Sequence, residues 1–131
     1  MRASRGEIKI EEILKKSGIP FQEEYSFPDL YSSNGRPLRF DFAVFDDDDN
    51  LLFLIEYQGI QHYIDIEIQS RKNYKYIHEN DLLKNELCKK NGIKLFYFTE
   101  KVIYENYCKD KELTYYDFNS MIKDIENECT S

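Results

Sequence analysis

The stretch from Leu38 to Tyr63, LRFDFAVFDDDDNLLFLIEYQGIQHY, constrains this 131-residue chain more than any other. Two apolar runs flank an acidic turn, and each run carries polar residues where a buried sheet should have none. Read as a strand, 38 to 45 places Leu38, Phe40, Phe42 and Val44 on one face and Arg39, Asp41, Ala43 and Phe45 on the other. In the run 51 to 58, Leu52 and Leu54 share a face with Glu56 and Gln58, while Leu51, Phe53, Ile55 and Tyr57 point the other way. Both faces of this hairpin are apolar, so both need cover.

The acidic stretch Asp46 to Asn50 separates the runs as a turn, and a loop closed on Asp48 and Asp49 sets Asp41 directly opposite Glu56. A slip by one residue would separate the two carboxylates to opposite faces, whereas a slip by two would keep them together. Directly opposed side chains have Cβ atoms about 5 Å apart. Carboxylates that close repel, and each loses hydration, unless a proton or a cation lies between them. A hard divalent ion with oxygen ligands is the natural neutraliser. The alternative for Asp41 is a structural salt bridge to Arg39 or to a lysine.

These residues resemble the PD-(D/E)XK nuclease superfamily, whose metal site is an Asp on one strand and a Glu-x-Lys triplet on the next. The matching residues are Phe40-Asp41 and Glu56-Tyr57-Gln58, with Phe40 for the usual Pro and Gln58 for the usual Lys. The run IEYQGIQHY, with a Gly and a His soon after the carboxylate, is similar to the branch of very-short-patch repair and phage homing endonucleases. The resemblance implies a restriction-endonuclease-like fold and a divalent metal, Mg²⁺ or Mn²⁺, held by Asp41, Glu56 and the backbone carbonyl of Tyr57. It also implies a catalytic role for His62, six residues after Glu56, and for a Glu in an S-x-G-E start, matched here by Ser4 to Glu7. The alternative for Glu7 is a capping box with Ser4, and that for His62 is a strand-end hydrogen bond.

Composition sets outer limits. A hydrophobic content of 41% with 15% aromatic residues excludes a disordered chain, and the length suits one domain over 1–131. No apolar run approaches the roughly 20 residues of a membrane span, so a soluble, cytoplasmic protein is expected. Cys88, Cys108 and Cys129 are odd in number and lack a CxxC spacing, which disfavours a disulfide framework or a zinc site. The net charge of −7 disfavours nonspecific nucleic-acid binding, which rests on Lys and Arg. Much of that charge is the tip Asp46 to Asp49, which could point away from a bound duplex.

In chain order, a helix from Ser4 to Ser17 stops at Gly18 and has Gly6, Ile10, Ile13, Leu14 and Ser17 on its inner arc. A strand over 21 to 27 closes at Pro28-Asp29, and Asn34-Gly35 turns the chain into the central hairpin. The segment Ile60 to His78 has no clean period and interleaves Arg71, Lys72 and Lys75 with Tyr74 and Tyr76, which suits a loop for phosphate contact and stacking. Its plainer reading is a solvated loop, with His78 at the surface. A second helix, Asp81 to Asn91, has Lys84 between Leu87 and Cys88 on its apolar arc, where a merely solvated lysine should not lie. The strand Ile93 to Phe98 follows, then an irregular stretch to Tyr116 and a helix 117 to 129 with the stripe Phe118, Met121, Ile122, Ile125 and Cys129. That stripe suits core packing, with a homodimer as the alternative.

The order α-β-β-β-α-β plus a terminal helix is an α/β (α+β) arrangement, a mixed sheet flanked by helices, and it agrees with the core of the resembling family. The expected function is metal-dependent hydrolysis of DNA phosphodiester bonds by an endonuclease. Asp41 and Glu56 would be the metal ligands, Gln58 would orient water, His62 would transfer a proton, and Asp81 and Lys84 would complete the site from the second helix. The competing expectation is a nuclease-like domain that binds nucleic acid or a protein partner without cutting.

Overall fold

The computed structural model describes residues 5–58, 71–108, 114–117, 120, 123, 124 and 127, with the backbone alone at 5, 71–74, 107 and 108. Helix α1 (Arg5–Ser17) leads into three strands, β1 (Phe21–Tyr31), β2 (Pro37–Phe45) and β3 (Leu51–Tyr57). Helix α2 (Arg71–Asn91) precedes β4 (Lys94–Phe98), and a short helix α3 (Lys101–Ile103), a π-helical turn (Tyr104–Cys108) and β5 (Thr114–Tyr115) follow. The strands form one five-stranded sheet in the order β1-β2-β3-β4-β5, antiparallel up to β3 and parallel from there. The protein is thus a mixed α+β fold. Among the described residues no helix is long and apolar enough to cross a membrane.

Among the described residues, α1 covers one face of the sheet and α2 the other, as the two apolar faces of the hairpin require. On one face, Ile10 and Leu14 of α1 are fully buried against Phe42, Val44, Phe53, Ile55, Phe96 and Phe98. On the other, Cys88 and Leu87 of α2 pack with Phe40, Ala43, Leu54, Leu95 and Tyr97.

Phe42 pairs with Ile55, Ala43 with Leu54 and Val44 with Phe53, the register expected from the sequence, although the turn differs. The amide of Asp46 donates to the Asn50 carbonyl at 2.9 Å and that of Asp49 to the Asp46 carbonyl at 3.2 Å, so the loop spans Asp47 to Asp49 rather than Asp48 and Asp49 alone. This is a tight turn closed by a left-handed residue, Asp49 at φ 63°. The longer loop pairs Phe45 with Leu51, and a bulge at Leu52 then restores the register ahead of Phe53. The β1–β2 loop repeats the design, with Gly35 at φ 83° in the left-handed position.

The expected alternation fails at one point in β2. Phe40 does not share a face with Phe42; it lies on the α2 side with Ala43 and Leu54, and its β1 partner Tyr25 lies there too. The reversal falls at Asp41 and at Glu24, the β1 residue between the Glu23–Phe42 and Tyr25–Phe40 pairs, which has a φ of 50°. Asp41 can leave the pleat because side chains replace ladder bonds there, as described below.

Three element boundaries also differ from expectation. Strand β1 runs on through Pro28 to Tyr31, which an edge strand allows because its pairing with β2 is interrupted between Ser26 and Tyr31. Helix α2 begins at Arg71, ten residues before Asp81, and takes in residues 71 to 78 of the segment read as a loop, whose residues 60 to 70 lie outside the described residues. That segment has neither Gly nor Pro, and its apolar period is obscured because Asn80, Asp81 and Lys84 lie among the partly buried positions. The stretch after Phe98 is not wholly irregular, since the short helix, the π-helical turn and β5 occupy it. The stripe Phe118, Met121, Ile122, Ile125 and Cys129 lies outside the described residues, as do Ser4 and His62.

Candidate active site

At the end of β2–β3 pairing nearest α2, backbone and side chains exchange partners. The Asp41 amide donates to Oε1 of Glu56 at 3.3 Å, and the Tyr57 amide donates to Oδ2 of Asp41 at 2.7 Å. Each carboxylate accepts a bond that a carbonyl would accept in a regular ladder. Asp41 is thereby held in place of the pleat. Arg39 is not its partner; it pairs with Glu24 at 3.5 Å on the exposed surface.

Lys84 reaches the pair from α2. Its Nζ lies 2.9 Å from Oε1 of Glu56, with the lysine side chain 14% and the glutamate side chain 6% exposed. The ammonium also lies 5.3 Å from the centroid of the Phe40 ring, a cation–π placement created by the reversal of β2 at Asp41. One turn on, Cys88 is buried, and burial pushes its thiol up to about 11, with Glu56 adding to the rise and Lys84 opposing it.

The electrostatics follow from burial. Desolvation pushes the Asp41 carboxyl up to about 7, the Glu56 charge adds to the rise, and the Tyr57 amide and Lys84 oppose it. Glu56 is raised as well, by burial first, against the opposing pull of Lys84 and with a further upward push from Asp81. Two acidic groups therefore share one ammonium in a poorly hydrated site.

Glu7 and Lys84 stand on opposite faces of the sheet. Glu7 lies in the first turn of α1, near enough to Tyr57 that its charge helps raise the phenol. Gln58 follows the last residue of β3 and is buried, its backbone N–H donating to the Phe98 carbonyl at 2.9 Å and its backbone carbonyl accepting from Thr99 Oγ1 at 2.6 Å. Arg71, Lys72 and Tyr74 are in the first turn of α2. Lys75 is exposed and lies 3.9 Å from Glu79, while the Tyr76 hydroxyl donates to Oδ1 of Asn34 at 3.4 Å. The structure thus brings together Asp41, Glu56, Lys84 and Asp81, and it sets Glu7 apart.

Sequence reasoning missed the roles of Phe40 and of Gly6. For Phe40 no sequence signal was available, because strict alternation puts it on the wrong face. For Gly6 the signal was its place on the inner arc of α1, where the Tyr57 ring leaves no room for a Cβ.

Among the described residues no three His, Cys, Asp or Glu side chains are grouped to hold a metal ion. The carboxylates that do converge are Asp41 and Glu56. They suit a hard cation, because burial and mutual repulsion disfavour two uncompensated negative charges there. Comparison with protein-family models, with curated proteins and with solved structures finds no match to this chain.

Proposed function

We propose that this chain is a metal-dependent endodeoxyribonuclease with a restriction-endonuclease-like fold. The observation that carries the reading is the buried Asp41–Glu56 pair with the Lys84 ammonium on Glu56. A salt bridge kept only for stability would need one carboxylate for one lysine, whereas here a second carboxyl is buried at a cost.

In this reading Asp41, Glu56 and the Tyr57 carbonyl hold Mg²⁺ or Mn²⁺, which when bound supplies the Lewis acid that phosphodiester hydrolysis needs. Lys84 places positive charge beside the developing phosphorane, the part played in the resembling family by the lysine that Gln58 replaces. Gln58 orients water, since an amide donates and accepts but neither takes up a proton nor carries charge. His62 transfers the proton and Asp81 tunes Glu56, while Glu7, across the sheet, bears on the Tyr57 phenol rather than on the carboxylate pair. Arg71, Lys72, Tyr74, Lys75 and Tyr76, in the first two turns of α2, would contact the DNA backbone.

The net charge of −7 is compatible with a DNA partner because of where part of it lies. The tip Asp46 to Asp49 precedes β3 and Glu56 is near the other end of that strand, so the two are about 20 Å apart at 3.3 Å per residue. That is more than twice the Debye length of about 8 Å at physiological salt. The decisive experiment is a cleavage assay over duplex, single-stranded and branched DNA and over RNA, with Mg²⁺, Mn²⁺ or EDTA, for the wild type and Asp41→Ala. Metal-dependent DNA cleavage lost in Asp41→Ala is expected; cleavage that survives the substitution would refute the site, and binding without cleavage would favour the non-cutting domain.

A further inference from the structure

The Tyr57 ring is held from three directions. On one side is the backbone of Gly6, so close that a Cβ there would overlap ring atoms Cε2, Cδ2 and Cζ. On another lies Phe98, with ring centroids 6.2 Å apart, and the hydroxyl donates to Oε1 of Glu100 at 3.4 Å. The amide of the same residue donates to Oδ2 of Asp41 at 2.7 Å. Glycine weakens a helix, so one on the inner arc of α1 calls for a reason, and this close approach supplies it.

We propose that Gly6 is a positioning residue: by carrying no side chain it seats the Tyr57 ring, and through the Tyr57 amide it sets the Asp41 carboxylate. Helix α1 and helix α2 then act on the same carboxylate pair from opposite faces of the sheet, α1 through Tyr57 and α2 through Lys84. A methyl at position 6 must push either the ring or the helix away. Movement of the ring strains the amide-to-carboxylate bond, because Phe98 and Glu100 bound the ring on its other sides and leave the residue's own backbone to yield. The coupling stands on this geometry alone; only its consequence for cleavage rests on the nuclease reading.

Amide hydrogen exchange in metal-free protein without DNA tests the coupling directly. It would be followed by NMR in the wild type, Gly6→Ala, Tyr57→Val and the double variant. Valine lacks every ring atom that a Cβ at position 6 would meet. Gly6→Ala should speed exchange of the Tyr57 amide by about tenfold or more, while the Leu54 and Phe96 amides change by less than about twofold. In the Tyr57→Val background, Gly6→Ala should add less than about twofold. Unchanged exchange at Tyr57 in Gly6→Ala, or an equal acceleration in the valine background, would overturn the proposal. If Gly6→Ala alone does not fold, recovery of the fold in the double variant supports the coupling and failure to recover overturns it. These outcomes are read whether or not the wild type cuts DNA, so loss of the nuclease reading would leave them intact.

Discussion

Lys84 and the Asp41 amide donate to the same atom, Oε1 of Glu56, at 2.9 and 3.3 Å. The strand β2 and the helix α2 are therefore joined through one carboxylate oxygen, and removing either donor changes what the other must satisfy.

Lys84→Met should cost about a hundredfold in cleavage rate, the scale for loss of one stabilising donor. Breaking a buried ion pair by removing one partner costs about 3 kcal/mol or more, and protonation of Glu56 would recover part of this at low pH. The melting temperature of Lys84→Met should accordingly fall further below that of the wild type at pH 8 than at pH 5. Gln58→Lys added to Lys84→Met should restore some cleavage. A Lys84→Met enzyme that cuts at the wild-type rate would reduce Lys84 to a structural cation.

Asp41 gives stability an inverted pH dependence. Its carboxyl is raised to about 7 in the fold, so between its ordinary acidic value and 7 the folded chain binds more protons than the unfolded one. The contribution is then full at low pH and is lost as pH rises through about 7, with each tenfold change in proton affinity worth about 1.4 kcal/mol. Asp41→Asn should remove this loss. Denaturant unfolding from pH 5 to 8.5 should show the variant gaining on the wild type as pH rises, and parallel curves would contradict the assignment.

Titration calorimetry should detect Mg²⁺ or Mn²⁺ binding to the wild type. Asp41→Ala and Glu56→Ala should each abolish it, since neither carboxylate alone offers the charge and oxygen donors that such an ion needs. Equal binding by both variants would rule out the pair as ligands.

Asp49 occupies a left-handed position at φ 63°, where its counterpart in the β1–β2 loop is Gly35. Asp49→Gly should stabilise the protein by about 0.5 kcal/mol, because relief of the strained backbone outweighs the flexibility that glycine adds to the unfolded chain. Chemical denaturation at neutral pH, far from any predicted effect on metal binding, measures it; a destabilised variant would show that the side chain matters more than the backbone.

The sequence made the central pairing legible because parity is robust: a turn longer by one residue is cancelled by the bulge at Leu52, and Phe42 still meets Ile55. The contact of Lys84 with Glu56 was foreshadowed by a lysine on an apolar arc. The face of Phe40 was not legible, because the reversal at Asp41 depends on amides and carboxylates from two different strands. The early start of α2 was hidden for a related reason, since polar residues turned toward the site erase the very periodicity that marks a helix.

The edge strand β1 carries a further consequence. Its eleven residues would be a long template for another chain, but Glu24 departs from extended geometry, Pro28 lacks a donor, and Glu23, Glu24 and Asp29 charge the rim. Such features discourage edge-to-edge pairing. A second copy approaching β1 would meet acid against acid, with gaps in the row of bonds it needs. The interior-facing aromatic rings of this strand can thus remain long and sticky, Tyr25 and Phe27 packing edge-on at 5.2 Å, without the sheet growing into a fibre.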